Sequence, residues 1–143
     1  MTTSQDTHNL QRFVEAQDRV FEQVRAELRA GRKQGHWMWF IFPQVKGLGH
    51  SPTAIEYGIG SRSEAEAYLK HPILGPRLEE CTELVNKVSG SSIDEILGYP
   101  DNLKFRSSMT LFSLVSPDSK AFEQALGKYF GGQADQRTVE LLK

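Results

Sequence analysis

The chain has 143 residues, of which 38% are hydrophobic, 10% aromatic and 24% charged. These values are typical of one globular domain that buries a core, and they exclude an intrinsically disordered chain. The 17 basic residues are balanced by 18 acidic ones, and this net charge of −1 argues against nucleic acid as a partner. The single cysteine excludes an internal disulfide and a cysteine-based zinc site.

The ends and the apolar runs favour a cytoplasmic protein. Residues 1–8 are polar and without periodicity, which predicts a disordered tail before a single domain over 9–143. The start lacks the basic and apolar regions of a signal peptide. The longest apolar run, 37–42, is too short for a membrane helix, which needs ~20 residues. We therefore expect no membrane partner, and the oligomeric state is left open.

A helical stripe opens the domain. Asn9 is the predicted N-cap and Gly31 the predicted end of this first helix. The stripe positions between them follow at intervals of three and four: Leu10, Phe13, Val14, Gln17, Val20, Phe21, Val24 and Leu28. This spacing predicts one helix over 10–30, about five turns long.

The apolar run 37–42 is ambiguous by its pattern alone, since a buried strand and a buried helical turn look alike over six residues. No second strand-like run exists to pair with it, so we predict a helical or irregular core segment. At least one of Trp37 and Trp39 is expected to be buried. Pro43, Pro52 and the glycines between them predict a loop over 43–53.

Helical signals continue to the end of the chain. Capping boxes begin two helices, at Ser61 with Glu64 and at Ser92 with Glu95, and Asp135 caps the last helix. The predicted helices are 61–70, 74–88, 92–98, 101–115, 119–130 and 135–142. The sequence therefore predicts an all-α, compact multihelical single domain with six or seven helices of unequal length.

Several segments together resemble the bacterial domain-of-unknown-function family 1810. They are 36–44 (HWMWFIFPQ), 47–49 (GLG), 12–17 (RFVEAQ), 67–69 (AYL), 71–75 (HPILG) and 104–112 (KFRSSMTLF), with Asp135 and Thr138. The resemblance covers residues 10–142 and implies a compact multihelical fold, but no activity or catalytic residue. Some members are labelled calpastatin, a disordered protease inhibitor; a chain with 8 Phe, 4 Tyr and 2 Trp should instead fold alone.

No motif identifies an enzyme, a cofactor or a metal. The phosphate loop GxxxxGK[ST], HExxH, GxSxG, CxxC and the acidic calcium loop are all absent. The four histidines do not have ligand spacing, and Cys81 lies within the core stripe of helix 74–88. We predict no metal site, and the catalytic residues and the cofactor remain unassigned.

Charge patterning indicates where a ligand would bind. Residues 28–55 and 102–117 contain no Asp or Glu but do contain basic residues. We therefore predict a cleft between loop 43–51 and helix 101–115 that binds an anionic, nucleotide- or phosphate-like molecule. Its candidate residues are His36, Gln44, His50, Ser51, Lys104, Arg106, Ser107, Ser108 and Thr110.

Two alternatives stay open at this point. Lys104 and Arg106 could pair with distant acids such as Glu79 or Asp94, leaving no need for a ligand. The chain could also be a protein-interaction or regulatory module without catalytic activity, because it lacks every standard catalytic motif. Convergence of the candidate residues on one concavity would favour the ligand site.

Overall fold

The computed structural model describes residues 6–116 and 118–142. Over these ranges the chain forms ten helices around one hydrophobic core, and it contains no strand. The helices are α1 (Gln11–Asp18), α2 (Phe21–Arg29), α3 (Met38–Ile41), α4 (Pro52–Glu56), α5 (Arg62–Lys70), α6 (Leu74–Lys87), α7 (Ile93–Leu97), α8 (Asp101–Val115), α9 (Ala121–Phe130) and α10 (Gln136–Leu142). The all-α prediction is confirmed, whereas the predicted number of helices was too low.

The first predicted helix is in fact two. At Val20 the backbone leaves the helical region (φ −132°, ψ 0°), and its N–H donates to the carbonyl of Gln17, three residues back instead of four. The break lets α1 pack on α3 while α2 packs on α6. No proline or glycine lies at the break, so the unbroken apolar stripe hides it from the sequence.

The N-cap of α1 also differs from the prediction. Asn9 has φ +52°, and Leu10 is the N-cap. The carboxylate of Asp6 accepts hydrogen bonds from the backbone N–H groups of Leu10 and Gln11. Residues 1–5 of the predicted tail lie outside the described residues.

The other additional helices come from the apolar run and the loop after it. The run forms the single turn α3, and Trp37 is 1% exposed, so the prediction of a helical segment with a buried tryptophan is confirmed. In the predicted loop, α4 begins at Pro52 because the Ser51 hydroxyl accepts the N–H of Ala54. No described helix is long and apolar enough to span a membrane.

Most later helices follow their capping signals. Ser92 and Glu95 form the predicted reciprocal capping box. Ser61 caps α5 through the N–H of Glu64, but the Glu64 carboxylate accepts from Gly60 N–H and pairs with Arg12 instead of closing the box. The Asp135 carboxylate accepts from the N–H of Thr138, as expected for the cap of α10.

The long helix α8 is central and contacts α5, α7, α9 and α10. Phe105, Met109 and Phe112 are fully buried on one side of the helix. On the other side of the helix Leu111 is also buried, whereas Leu103 and Leu114 are exposed. The polar side chains on that side pack instead against the segment that leads into α10.

The loop between α2 and α3 is held by one carboxylate. Glu27 accepts hydrogen bonds from the N–H groups of Gln34 and Gly35, from the indole N–H of Trp37 and from the amide of Gln23. Burial by itself raises the pKa of Glu27, but the four hydrogen bonds outweigh it and lower the pKa to about 2. The charged carboxylate therefore positions the loop that leads to Trp37.

We expect this carboxylate to make stability depend on pH. Because the pKa of Glu27 is lower in the folded chain than its ordinary 4.5, its stabilising contribution is complete above pH 4.5 and is lost as the pH falls toward 2. Urea unfolding of the wild type and of Glu27→Gln should show a stability difference that is largest above pH 4.5 and shrinks toward pH 2. A difference independent of pH would contradict this role.

Candidate functional site

Loop 43–51 meets α8 at a cavity of about 210 Å³. The loop is fixed by a single parallel bridge between Val45 and Ile59, in which Lys46 N–H donates to Ile59 and Ile59 N–H donates to Gln44. The cavity is lined by Trp39, Gln44, Leu48, Gly49, Pro100, Leu103, Lys104, Ser107, Asp135 and Arg137. Loop 43–51 and α8 thus border a concavity that is open to solvent.

A smaller cavity of about 90 Å³ lies beside the first one. It is lined by Lys33, His36, Met38, Trp39, Asp101 and Lys104. Trp39 and Lys104 line both cavities, so these two side chains form the wall between them. The Lys104 ammonium nitrogen is 3.8 Å from the centre of the Trp39 ring, a cation–π contact that stiffens this wall.

Two lysines share one carboxylate at the smaller cavity. The Lys33 ammonium is 2.7 Å from Oδ2 of Asp101, and the Lys104 ammonium is 3.3 Å from Oδ1 of the same residue. The side chain of Lys33 is only 7% exposed. One negative charge therefore faces two positive ones, which leaves an excess positive charge in a partly dehydrated place.

Asp135 connects the larger cavity to α10. Its Oδ2 accepts hydrogen bonds from the Ser107 hydroxyl and from the N–H and hydroxyl of Thr138, while its own N–H donates to Thr110. No described group donates to its Oδ1. The hydrogen bonds to Oδ2 thus hold the Asp135 side chain in place, and Oδ1 is left as a hydrogen-bond acceptor at the cavity.

Four of the nine predicted site residues lie at these cavities. Gln44 and Ser107 line the larger one, His36 lines the smaller one, and Lys104 lines both. The structure thereby brings together loop and helix residues that are 60 positions apart in the chain.

The other five predicted residues line neither of these cavities. His50 and Ser51 are exposed, and Ser51 caps α4. Arg106 donates to the carbonyls of Gln133 and Ala134, each at 3.0 Å. Ser108 and Thr110 are fully buried within the protein; the Thr110 hydroxyl donates to Arg106, and the Ser108 hydroxyl has no partner among the described residues.

The sequence prediction missed the carboxylates. Lys104 pairs with Asp101, not with Glu79 or Asp94, and Asp101 stands just before the acid-free stretch. Its helical spacing of three from Lys104 was a visible signal. Asp135, Arg137 and Lys33 reach the cavities through tertiary packing, for which the sequence carries no local signal.

Away from these cavities, the described residues form neither a reactive cysteine nor a metal-binding cluster. Burial raises the pKa of the Cys81 thiol to about 12, so at neutral pH it is not a thiolate nucleophile. Within the described ranges, no group of three or more His, Cys, Asp or Glu side chains is placed to hold a metal ion.

Comparison with known proteins gives the family. The model of the family described as Protein of unknown function (DUF1810) matches residues 7–142. The chain belongs to this family. It is also similar to the 1.38 Å crystal structure of the conserved hypothetical protein Rv1873 from Mycobacterium tuberculosis, at 59% identity and a TM-score of 0.95, over 96% of this chain and 98% of that one. No curated protein matches it.

The DUF1810 match confirms the resemblance predicted from the segments around Trp37 and α8. The similarity to Rv1873 extends along nearly the whole of both chains. Neither comparison names an activity or a ligand.

Proposed function

We propose that the chain binds a small anionic molecule, of the phosphate or nucleotide class, in the cleft between loop 43–51 and α8. The observation that carries the proposal is the sharing of Asp101 by Lys33 and Lys104 beside the two cavities. An ammonium group that is partly removed from water needs a compensating charge, and one carboxylate cannot fully compensate two. An anion in the cleft supplies the missing charge through charge-assisted hydrogen bonds.

The carboxylates at the cleft are compatible with an anion. Asp101 is held between two lysines, and Asp135 is stabilised by the hydrogen bonds to its Oδ2. Arg137 is exposed and forms no ion pair with any described residue. Counting Lys33, Lys104 and Arg137 against Asp101 and Asp135, positive groups outnumber negative ones by one.

The direct test is an anion titration monitored by thermal unfolding. We expect inorganic phosphate or adenosine monophosphate to raise the Tm of the wild type, with ~2.7 kcal/mol of added stability at 100 times the Kd. Lys104→Met should weaken the binding about tenfold or more, since a charge-assisted hydrogen bond contributes about 1.5–3 kcal/mol.

Lys46→Met is the matched control. Lys46 belongs to the same loop but is exposed and lines neither cavity, so its loss should leave the anion-dependent shift in Tm unchanged. The proposal is wrong if no anion protects the wild type at millimolar concentration, or if both variants lose the shift equally.

A protein-interaction module is the second candidate, favoured by exposed apolar side chains next to the cleft. Tyr99 is 79% exposed and Leu103 is 47% exposed, and Pro100 between them lines the larger cavity. Such residues are typical of binding surfaces. The titration separates the two candidates, because docking of a protein partner predicts no shift in Tm with anions.

A further inference from the structure

We infer that the two cavities divide one ligand between them, a phosphoryl group in the smaller and a hydroxyl-bearing body in the larger. The ligand class is then a phosphorylated sugar or a similar polyol. This inference rests on the proposed function and specifies its ligand. It is carried by the different chemistry of the two cavities on either side of the wall formed by Trp39 and Lys104.

The smaller cavity fits a phosphoryl group in size and in charge. Its volume of about 90 Å³ is the share of about three waters in the liquid. An ammonium has three N–H donors; two of those of Lys33 are taken by Asp101 and the carbonyl of Gly35, and the ammonium also lies 5.1 Å from the centre of the Trp37 ring. A donor of Lys33, the ammonium of Lys104 and the exposed imidazole of His36 are left for phosphoryl oxygens.

The larger cavity fits a neutral body with hydroxyl groups. Apart from Lys104, which the larger cavity shares with the smaller one, its charged side chains are Asp135 and Arg137, whose charges balance. The Oδ1 of Asp135 accepts hydrogen bonds only and thus selects a donor such as a sugar hydroxyl. Gln44 and Ser107 add further polar groups, while Trp39 and Leu103 offer apolar surface to the carbon skeleton.

The arrangement also fixes the orientation of the ligand. A phosphoryl group in the larger cavity would face the carboxylate of Asp135, and like charges at close range repel. Among the described residues that line the smaller cavity, Asp101 is the one carboxylate, and it is already bridged by two lysines. With a volume of about 210 Å³, the share of about seven waters, the larger cavity accepts a single sugar ring.

Calorimetric titration of the full chain with inorganic phosphate, ribose and ribose 5-phosphate tests the division. We expect ribose 5-phosphate to bind about tenfold more tightly than phosphate, which corresponds to ~1.4 kcal/mol, and ribose to bind most weakly. Asp135→Asn should abolish this advantage while phosphate affinity is retained. His36→Gln should weaken phosphate and ribose 5-phosphate by the same factor.

Glu140→Gln is the matched control, because Glu140 is an exposed carboxylate of α10 that lines neither cavity. It should keep the preference for ribose 5-phosphate. If Asp135→Asn does not fold, Gln44→Ala reports on the same cavity and should also reduce the preference.

The outcomes separate the inference from the proposed function. Phosphate binding without any preference for ribose 5-phosphate overturns the division of the ligand but leaves the anion site standing. An equal loss of preference in Glu140→Gln and Asp135→Asn overturns the role of the Asp135 carboxylate, since a change of net charge would explain both. Absence of binding by phosphate and ribose 5-phosphate overturns both proposals.

Discussion

Replacement of Gly75 by alanine is expected to destabilise the protein by about 3 kcal/mol, although alanine normally favours a helix over glycine. Gly75 is the second residue of α6, where the chain passes close to the end of α5. A Cβ atom there would lie only 2.1 Å from the carbonyl oxygen of Leu69 and 3.0 Å from its carbonyl carbon. Because the clash is with backbone, and the neighbouring Tyr68 and Leu74 are fully buried, no flexible side chain can relieve it.

The matched variant is Gly127→Ala in α9. Gly127 is exposed, and a Cβ atom added there would meet nothing within 4 Å. This substitution should stabilise the protein by about 0.5–1 kcal/mol, because only the helix propensity changes. Urea unfolding of both variants measures the two opposite signs. Wild-type stability in Gly75→Ala would contradict the close passage of α5 and α6.

Gly75 and Gly127 differ in a tertiary contact that the local sequence does not predict. Both lie in helices, and nothing in the residues around them says which one touches another backbone. The elements that the sequence did predict have local causes. Ser92 and Glu95 close a box within four residues, and the cap of α10 joins Asp135 to Thr138, three residues on.

The break between α1 and α2 lies next to tertiary contacts of Gln17. The buried side chain of Gln17 donates to the carbonyl of Phe40 at 2.7 Å and to the hydroxyl of Tyr68 at 3.0 Å, and both acceptors are more than 20 residues away. The apolar residues keep their spacing of three and four across this break, so the pattern alone does not reveal it. The sequence therefore predicts the buried face correctly and the helix length wrongly.

The candidate site was also predicted only in part: the sequence indicated its location but not its carboxylates. The meeting of loop 43–51 with α8 was predicted from the two stretches, 28–55 and 102–117, that contain basic residues but no Asp or Glu. The charge argument was incomplete, since it counted acids along the chain and not in space. Asp101 lies one position outside the acid-free stretch, and α10 brings Asp135 and Arg137 from the far end of the sequence.

Arg12 joins three parts of the fold, and its loss should be among the most damaging single changes. Its five N–H donors are all used. The ε nitrogen donates to the carbonyl of Glu56, one terminal nitrogen donates to His8 and Asn9, and the other donates to Gly58 and to the Glu64 carboxylate at 2.8 Å. The side chains of Arg12 and Glu64 are 16% and 8% exposed, so the pair is largely removed from water.

We expect Arg12→Met to lower the free energy of unfolding by about 3–5 kcal/mol, because it leaves the Glu64 carboxylate buried without a counter-charge. Arg12→Lys should recover only part of this loss, since an ammonium cannot reach the same five acceptors. The double variant Arg12→Met with Glu64→Gln should be more stable than Arg12→Met alone, because the unpaired charge is gone.

Arg29→Met, at the exposed end of α2, is the control and should stay within ~0.5 kcal/mol of the wild type. If urea unfolding placed Arg12→Met as close to the wild type as this control, the network would be a surface feature with no part in holding α4 and α5 against α1.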